Sequence, residues 1–253
     1  MDNVTLSVQN LSAWRESKLI LNKVNLSVAE GKVLSVIGPL GSGKSSLLRC
    51  INRLFEEVAE TKIEGTVSFS GRDIYSQDIN ILNLRREIAM IFSEPTLFKH
   101  MTIFENIAIG LRLAMHKSGA EIGEAVESSL ERVGLWDDVK SDLHKSVYRL
   151  EKSQQQLLCL ARALVLKPKM ILMDEPTSVI GLHGTMIFEQ LIKELALKTT
   201  IIFTSSSRKQ AARVSDRTAF LLDGELIEIG KTSDLFMNPK DSRTEDYLTG
   251  RFG

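Results

Sequence analysis

Cysteine and proline are scarce in this chain of 253 residues, which holds 2 of the first and 5 of the second. Two thiols cannot build a disulfide framework. Cys50 and Cys159 each sit in an apolar helical run and read as small buried side chains in a reducing compartment, not a disulfide or metal pair. Net charge is also lacking: 32 Lys and Arg balance 32 Asp and Glu, which argues against nucleic acid as the main partner. No apolar run approaches the roughly 18 residues that a membrane span requires. Met1-Asp2-Asn3-Val4 has neither the charged nor the apolar region of a secretory signal. No repeat or low-complexity tract breaks the chain. An apolar share of 43% is ordinary for a globular protein and enough for a sizeable core. The length fits one large domain, or one domain with an inserted subdomain.

The most informative stretch runs from Val33 to Arg53. The strand-like run Val33-Leu34-Ser35-Val36-Ile37 leads into Gly38-Pro39-Leu40-Gly41-Ser42-Gly43-Lys44-Ser45-Ser46, and an amphipathic run follows. The turn fits G-x-x-x-x-G-K-[ST], a phosphate-binding loop. Glycines let successive backbone N–H groups curl around an anion, and the helix opening near Gly43 points its positive end at the same place. Lys44 can reach β- and γ-phosphates, and the Ser45 hydroxyl can take a place on Mg²⁺. A glycine-rich turn that binds nothing would not need a strand before it and a helix after it. The pattern predicts a nucleoside triphosphate site.

Around that loop the sequence reads as an α/β fold, a P-loop NTPase (RecA-like) core with an N-terminal antiparallel β layer and an inserted α-helical subdomain. Val4 to Val8 and Val24 to Val28 alternate as half-buried strands. Trp14 falls between them in what reads as a polar loop, where its ring can stack on a base or pack on the sheet. Residues 1–92 and 165–253 are assigned to the nucleotide-binding core. Residues 93–164, with helical patterns at Ile103 to Met115, Glu121 to Val133 and Gln154 to Leu166, are assigned to the helical subdomain. Met170-Ile171-Leu172-Met173-Asp174-Glu175 describes a buried parallel strand ending in two carboxylates, at the edge where ligands of such sheets bind. An exposed acidic turn is the plain alternative, but the phosphate loop calls for a metal ligand from a neighbouring strand. Asp174 is placed to bind Mg²⁺, and Glu175 to orient a water attacking the γ-phosphorus. Asp223-Gly224 marks a tight hairpin between two apolar runs.

With these motifs placed, nearly the whole chain resembles the ATPases of ATP-binding cassette (ABC) transporters. It is most similar to the ATP-binding subunit of bacterial phosphate importers, the PstB type. The resemblance is carried by Leu135-Trp136-Asp137-Asp138-Val139-Lys140 with Leu143-His144, by Gln154-Gln155-Gln156, Leu158-Cys159 and Ala161-Arg162-Ala163, by Gln210 to Asp216, by Gly224 to Glu228, and by the ending Arg243 to Gly253. It implies a head-to-tail dimer, homodimer or heterodimer with a second ATPase, enclosing two ATP molecules. It further implies two membrane permease subunits, an extracytoplasmic phosphate-binding protein, and a peripheral location on the cytoplasmic face of the cell membrane. Ser93 to Met115, with Pro95, Phe98 and Phe104, is the candidate docking surface for a permease; the same aromatics equally suit the helical subdomain's own core. Soluble ABC proteins of DNA repair or translation fit poorly, since this chain has neither a coiled-coil insertion nor a tandem cassette.

The departures from the family pattern gather around the γ-phosphate. The signature Leu-Ser-Gly-Gly-Gln is replaced by Leu150-Glu151-Lys152-Ser153-Gln154. Glu151 is expected to point a carboxylate at an anion, and Lys152 to offset it only if the loop turns it inward. Ser93 stands where the family has glutamine, Gly181 where it has aspartate, and Ser206 where it has histidine. Losing one preorganised donor to a transition-state charge costs about 3–4 kcal/mol. ATP binding is therefore expected to survive, with slow hydrolysis by a homodimer. Two functions fit: a working phosphate-importer ATPase, which retention of Glu175 favours, or an ATP-binding, hydrolysis-poor regulatory or heterodimer-partner paralogue, which the altered loops favour.

Overall fold

The computed structural model describes residues 3–115 and 118–251. Met1, Asp2, Phe252 and Gly253, which entered the reading of the two ends, lie outside the described residues.

Two sheets face each other across a helix. In the first, β1 (Val4–Arg15) pairs antiparallel with β2 (Lys18–Ala29) and with β4 (Thr61–Phe69), which also carries the short β5 (Arg72–Asp73), in the order β2-β1-β4-β5. Leu6 sits opposite Val28 and Val8 opposite Leu26, so the alternating apolar residues line one face. This is the expected antiparallel layer, but β1 is longer than its alternation suggested and takes in Trp14.

The second sheet has the order β10-β9-β3-β8-β7-β6. Its strands are β3 (Val33–Ile37), β6 (Ile88–Ile91), β7 (Met170–Asp174), β8 (Thr200–Ser205), β9 (Arg217–Leu222) and β10 (Glu225–Lys231). All neighbours are parallel except the β9–β10 hairpin. Every residue of β3, β7 and β8 is buried, as both-sided coverage of a parallel sheet demands. Asp223 and Gly224 turn the hairpin with φ of 48° and 83°, the double positive φ of a type I′ turn.

Helix α1 (Lys44–Ile51) fills the space between the sheets. Its Leu47, Leu48, Cys50 and Ile51 share one core with Leu6, Val8, Leu21, Leu34 and Val36. Short α2 (Ile81–Glu87) precedes β6. On the other face lie α3 (Ile103–Met115), α4 (Gly119–Arg132), the single turn α5 (Trp136–Val139), α6 (Lys152–Leu164) and α7 (Leu182–Ala196). These helices form one continuous core with the sheet: Ile107, Leu130, Leu158 and Leu164 belong to the same cluster as Ile171, Phe188 and Phe203. Helices α8 (Arg208–Val214), α9 (Thr232–Met237) and α10 (Ser242–Thr249) complete the chain, the last two having no clear periodic signal in the sequence. Helices α4 and α6 begin two residues earlier than expected, because their capping turns precede the first apolar residue. Ser118, for instance, caps α4 in a reciprocal capping box with Glu121. No helix among the described residues is long and apolar enough to cross a membrane.

Candidate functional site: a phosphate loop against two carboxylates

The C-terminal ends of β3, β7 and β8 meet where the sequence placed its motifs. After Ile37 the backbone turns at Gly38 with φ 154°, where an added Cβ would lie 2.0 Å from the carbonyl oxygen of Leu221. Only glycine fits there. At Gly43, φ 99°, a Cβ would come within 2.9 Å of Leu21 Cδ2. The loop is pinned from outside by Gly224 N–H, which donates to the Ser42 carbonyl at 3.0 Å, and from within by Ser42 N–H, which donates to that of Pro39 at 3.2 Å. Leu40 projects at the exposed tip, while the Ser42 hydroxyl is buried without a hydrogen-bond partner among the described residues. Ser46 lies half-buried in the first turn of α1.

Lys44 opens α1 and folds back over the loop. Its side chain is 5% exposed, and Nζ donates to the carbonyls of Gly38 and Pro39 at 2.8 and 2.9 Å. Glu175 Oε1 stands 4.0 Å from the same nitrogen. Burial pulls the Lys44 pKa below its ordinary value, and the charges of Glu175 and Asp174 oppose that pull.

Asp174 is a buried carboxylate at the tip of β7. Its Oδ1 accepts from Ser45 Oγ at 2.8 Å and from Thr204 Oγ1 at 2.9 Å. The donor set that Ser45 and Asp174 offer is all oxygen, the chemistry of a hard cation. Among the described residues no cluster of three or more His, Cys, Asp or Glu could cage a metal. That matches the way Mg²⁺ is usually held, by one or two protein oxygens with substrate phosphates and water completing the shell. Glu175, a quarter exposed, has the unusual φ of 44° for a non-glycine residue. Its N–H donates to Thr204 Oγ1 at 2.9 Å, which holds the kink and turns the carboxylate toward Lys44. Thr204 was not anticipated from sequence, although its register opposite Asp174 in the β7–β8 ladder marks it. Gln156 was missed too: buried in α6, it donates to the carbonyls of Phe92 and Pro176, joining the segments that follow β6 and Glu175.

The unusual residues fall as follows. Ser206 donates to Glu175 Oε2 at 3.2 Å, so it reaches the carboxylate despite its short side chain. Glu151 occupies the position before the first turn of α6, exposed, with its N–H donating to Gln154 Oε1 at 3.1 Å. Lys152 does not turn inward but pairs with Glu94 at 3.0 Å. The segment expected as a loop is the capped start of a helix. Ser153 packs beside Gly184, and Gln154 donates to Asp138 at 3.2 Å. Gly181 precedes the first residue of α7, and Ser93 lies half-buried after Phe92. Trp14 is corrected as well: it lies in β1, opposite Leu19 and Lys62, with Lys62 Nζ 5.1 Å from its ring centroid. The polar residues flanking it hid a strand held by pairing on both sides.

A glycine loop opening a helix, with a lysine and two strand-tip carboxylates converging on it, defines a P-loop nucleotide-binding protein. The model of the ABC transporter family matches residues 21–178. The phosphate import ATP-binding protein PstB of Pseudoalteromonas translucida is 42% identical, over 100% of this chain and 94% of that protein. PstB 1 of Streptococcus agalactiae is 44% identical over the full length of both. Among solved structures, cbiO1 from Clostridium perfringens, part of the ABC transporter complex cbiONQ, shares the fold at a TM-score of 0.80 and 24% identity, covering 99% of this chain and 97% of that one. An ATP-binding cassette solved as a dimer in a post-hydrolysis state with ADP and Pi aligns at 0.77 and 26%, over 90% and 98% of the two chains. The chain belongs to the ABC transporter family of ATP-binding proteins.

Proposed function

We propose that this chain is the ATP-binding subunit of an importer that couples ATP binding and hydrolysis to uptake of inorganic phosphate across the cytoplasmic membrane. The observation that carries the reading is full-length identity of 42% and 44% to phosphate import ATP-binding proteins, joined to an intact Lys44–Asp174–Glu175 cluster. The ATPase itself need not touch phosphate ion as cargo.

In this reading the loop from Gly38 to Ser46 wraps the triphosphate with its N–H groups, and Lys44 exchanges its two carbonyl contacts for phosphate oxygens. Ser45 and Asp174 would hold Mg²⁺, which when bound neutralises phosphate charge and orients the triphosphate. Glu175 holds and polarises the attacking water, with Ser206 fixing one of its oxygens. That contact supports retained hydrolysis over the regulatory alternative. The altered signature segment supports slow turnover in the absence of partners. Trp14 stacks on the base only through the ring face that Lys62 leaves free.

Residues 93–164 act as the helical subdomain, moving against the core of 1–92 and 165–253, and two such chains, alike or not, close head to tail over two ATP molecules. Each of the two chains takes one permease subunit on its segment from Ser93 to Met115, at a cleft of about 300 Å³ lined by Met90, Phe98, Gly110 and Arg162. This places the subunit on the cytoplasmic face of the membrane, served from outside by a phosphate-binding protein. The test is ATP-driven uptake of radiolabelled phosphate in vesicles reconstituted with the permeases. Uptake that persists with Glu175→Gln, or that carries a different anion in preference, overturns it.

A further inference from the structure

A serine side chain ends one atom beyond its Cβ, and the 3.2 Å from Ser206 Oγ to Glu175 Oε2 is already long for a hydroxyl donor. Whether that contact exists is therefore decided by the main chain that bears Ser206. That main chain is held on both sides. Ser205, buried at the end of β8, donates from Oγ to Gln210 Oε1 at 2.8 Å and accepts the Ser207 N–H at 3.0 Å. Ser207 caps α8, its own hydroxyl accepting the Gln210 N–H at 3.3 Å. Ser206 thus stands between two hydroxyls that both meet Gln210. The same residue, 3% exposed, also holds the opposite segment: Nε2 donates to Thr177 Oγ1 at 3.0 Å. Thr177 lies inside the turn that Ser178 N–H closes onto the Glu175 carbonyl at 3.1 Å. A grip on Thr177 is a grip on the bend that carries Glu175.

We infer that Gln210 is a positioning residue of the hydrolytic site: its amide spans the turn after Glu175 and the segment bearing Ser206, and so sets the distance across which Ser206 meets the carboxylate. A carboxamide suits this place because it offers an acceptor to Ser205 and a donor to Thr177 at once, with no charge added beside Glu175. In buried surroundings such bonds are strengthened and face little competition from water. The reach that a short side chain lacks is supplied by a frame that cannot drift. A donor fixed in advance also needs no reordering when charge develops on the group it serves. Gln210 acts through Ser205, Ser207 and Thr177, and its effect on the reaction is the one that Ser206 transmits.

The inference rests on Glu175 acting on the attacking water, and the experiment separates the two. In the purified full chain, single-turnover hydrolysis of labelled MgATP is measured for Ser206→Ala, for Gln210→Met and for the two combined. MgATP affinity by calorimetry and the thermal midpoint of the nucleotide-free protein are measured beside it. Each single change is expected to slow hydrolysis about three- to ten-fold while leaving affinity unchanged. The double variant should be no slower than the slower single one, because both changes break the same contact. Gln210→Met also lowers the midpoint, but a role in packing alone would leave the effect of Ser206→Ala undiminished in its background. Thr177→Val cuts the link from its other end and carries the same cycle where Gln210→Met does not fold. Effects that multiply in the double variants, or wild-type hydrolysis by Ser206→Ala, with hydrolysis lost in Glu175→Gln, overturn the inference and leave the site reading intact. Wild-type hydrolysis by Glu175→Gln overturns both.

Discussion

Replacing Thr204 by valine tests whether the two carboxylates are held as a unit. The substitution keeps the branched shape and removes one oxygen, which serves two neighbours. Thr204 Oγ1 donates to Asp174 Oδ1 at 2.9 Å and accepts from Glu175 N–H at 2.9 Å. A hydrogen bond to a charged group contributes about 1.5–3 kcal/mol, and a buried N–H left unpaired costs about 1–3 kcal/mol. Glu175 is a quarter exposed, so water relieves part of the second cost, and the lower half of each range applies. The sum is about 3 kcal/mol. For a chain of this size that lowers the thermal midpoint by about 6–12 °C. Thr204→Ser keeps the oxygen and loses a methyl group, costing about 1 kcal/mol. Chemical denaturation at constant m-value gives the comparison directly. MgATP affinity should fall in the valine variant, because Asp174 and Glu175 lose a common brace. A valine variant as stable as the serine one would refute the account of Thr204 as the pin beneath the site.

The other expectations concern the loop and its neighbours. Lys44→Ala abolishes MgATP binding in calorimetry; unchanged affinity removes the phosphate-loop argument. Because burial favours the neutral amine, Lys44 gives up its proton below the ordinary 10.5. A bound triphosphate favours the charged amine, so affinity declines as pH climbs through that lowered pKa, with protons taken up on binding there; a flat profile up to and beyond 10.5 would contradict this. Gly38→Ala forces a Cβ to 2.0 Å from the Leu221 carbonyl and should destabilise both loop and hairpin, read as a lower thermal midpoint. Restoring Glu151→Ser, Lys152→Gly and Ser206→His together should raise the ATPase rate of the purified chain, and brisk turnover before the change would sink that reasoning.

The parts of the fold legible in the sequence are those where one local pattern carries the information. The phosphate loop needs glycines at fixed offsets, and β7 needs an unbroken apolar run ending in acids. Both appear where the motifs place them. Trp14 was less legible because a strand paired on both flanks tolerates polar residues such as Arg15 on its exposed face. Thr204 and Gln156 were hidden for a different reason. Their partners lie 29 and 64 residues away in sequence, and no short-range spacing encodes such contacts.

The same distinction between backbone and side chain explains which family features the chain keeps. The phosphate cradle is made largely of N–H groups, fixed by glycines at positive φ, of which Gly38 has no room for a Cβ beside the Leu221 carbonyl, so it resists drift. At Ser93, Glu151, Gly181 and Ser206 the residue expected from the family acts through its side chain, and a side chain can be exchanged without disturbing the fold. Lys152 stands where a glycine is expected. Its pair with Glu94 joins two side chains more than half exposed, and such pairs are worth about 0–1 kcal/mol. An anion brought near that surface by a second subunit competes with Glu94 on easy terms and can draw the ammonium away. Glu151 lies beside it, its main chain tied through its own N–H to the first turn of α6. The altered segment thus offers one movable positive charge beside a negative one. Lys152→Ala should consequently slow turnover of the assembled transporter more than it changes the stability of the isolated chain; equal effects on both would mean that Lys152 serves only its exposed ion pair.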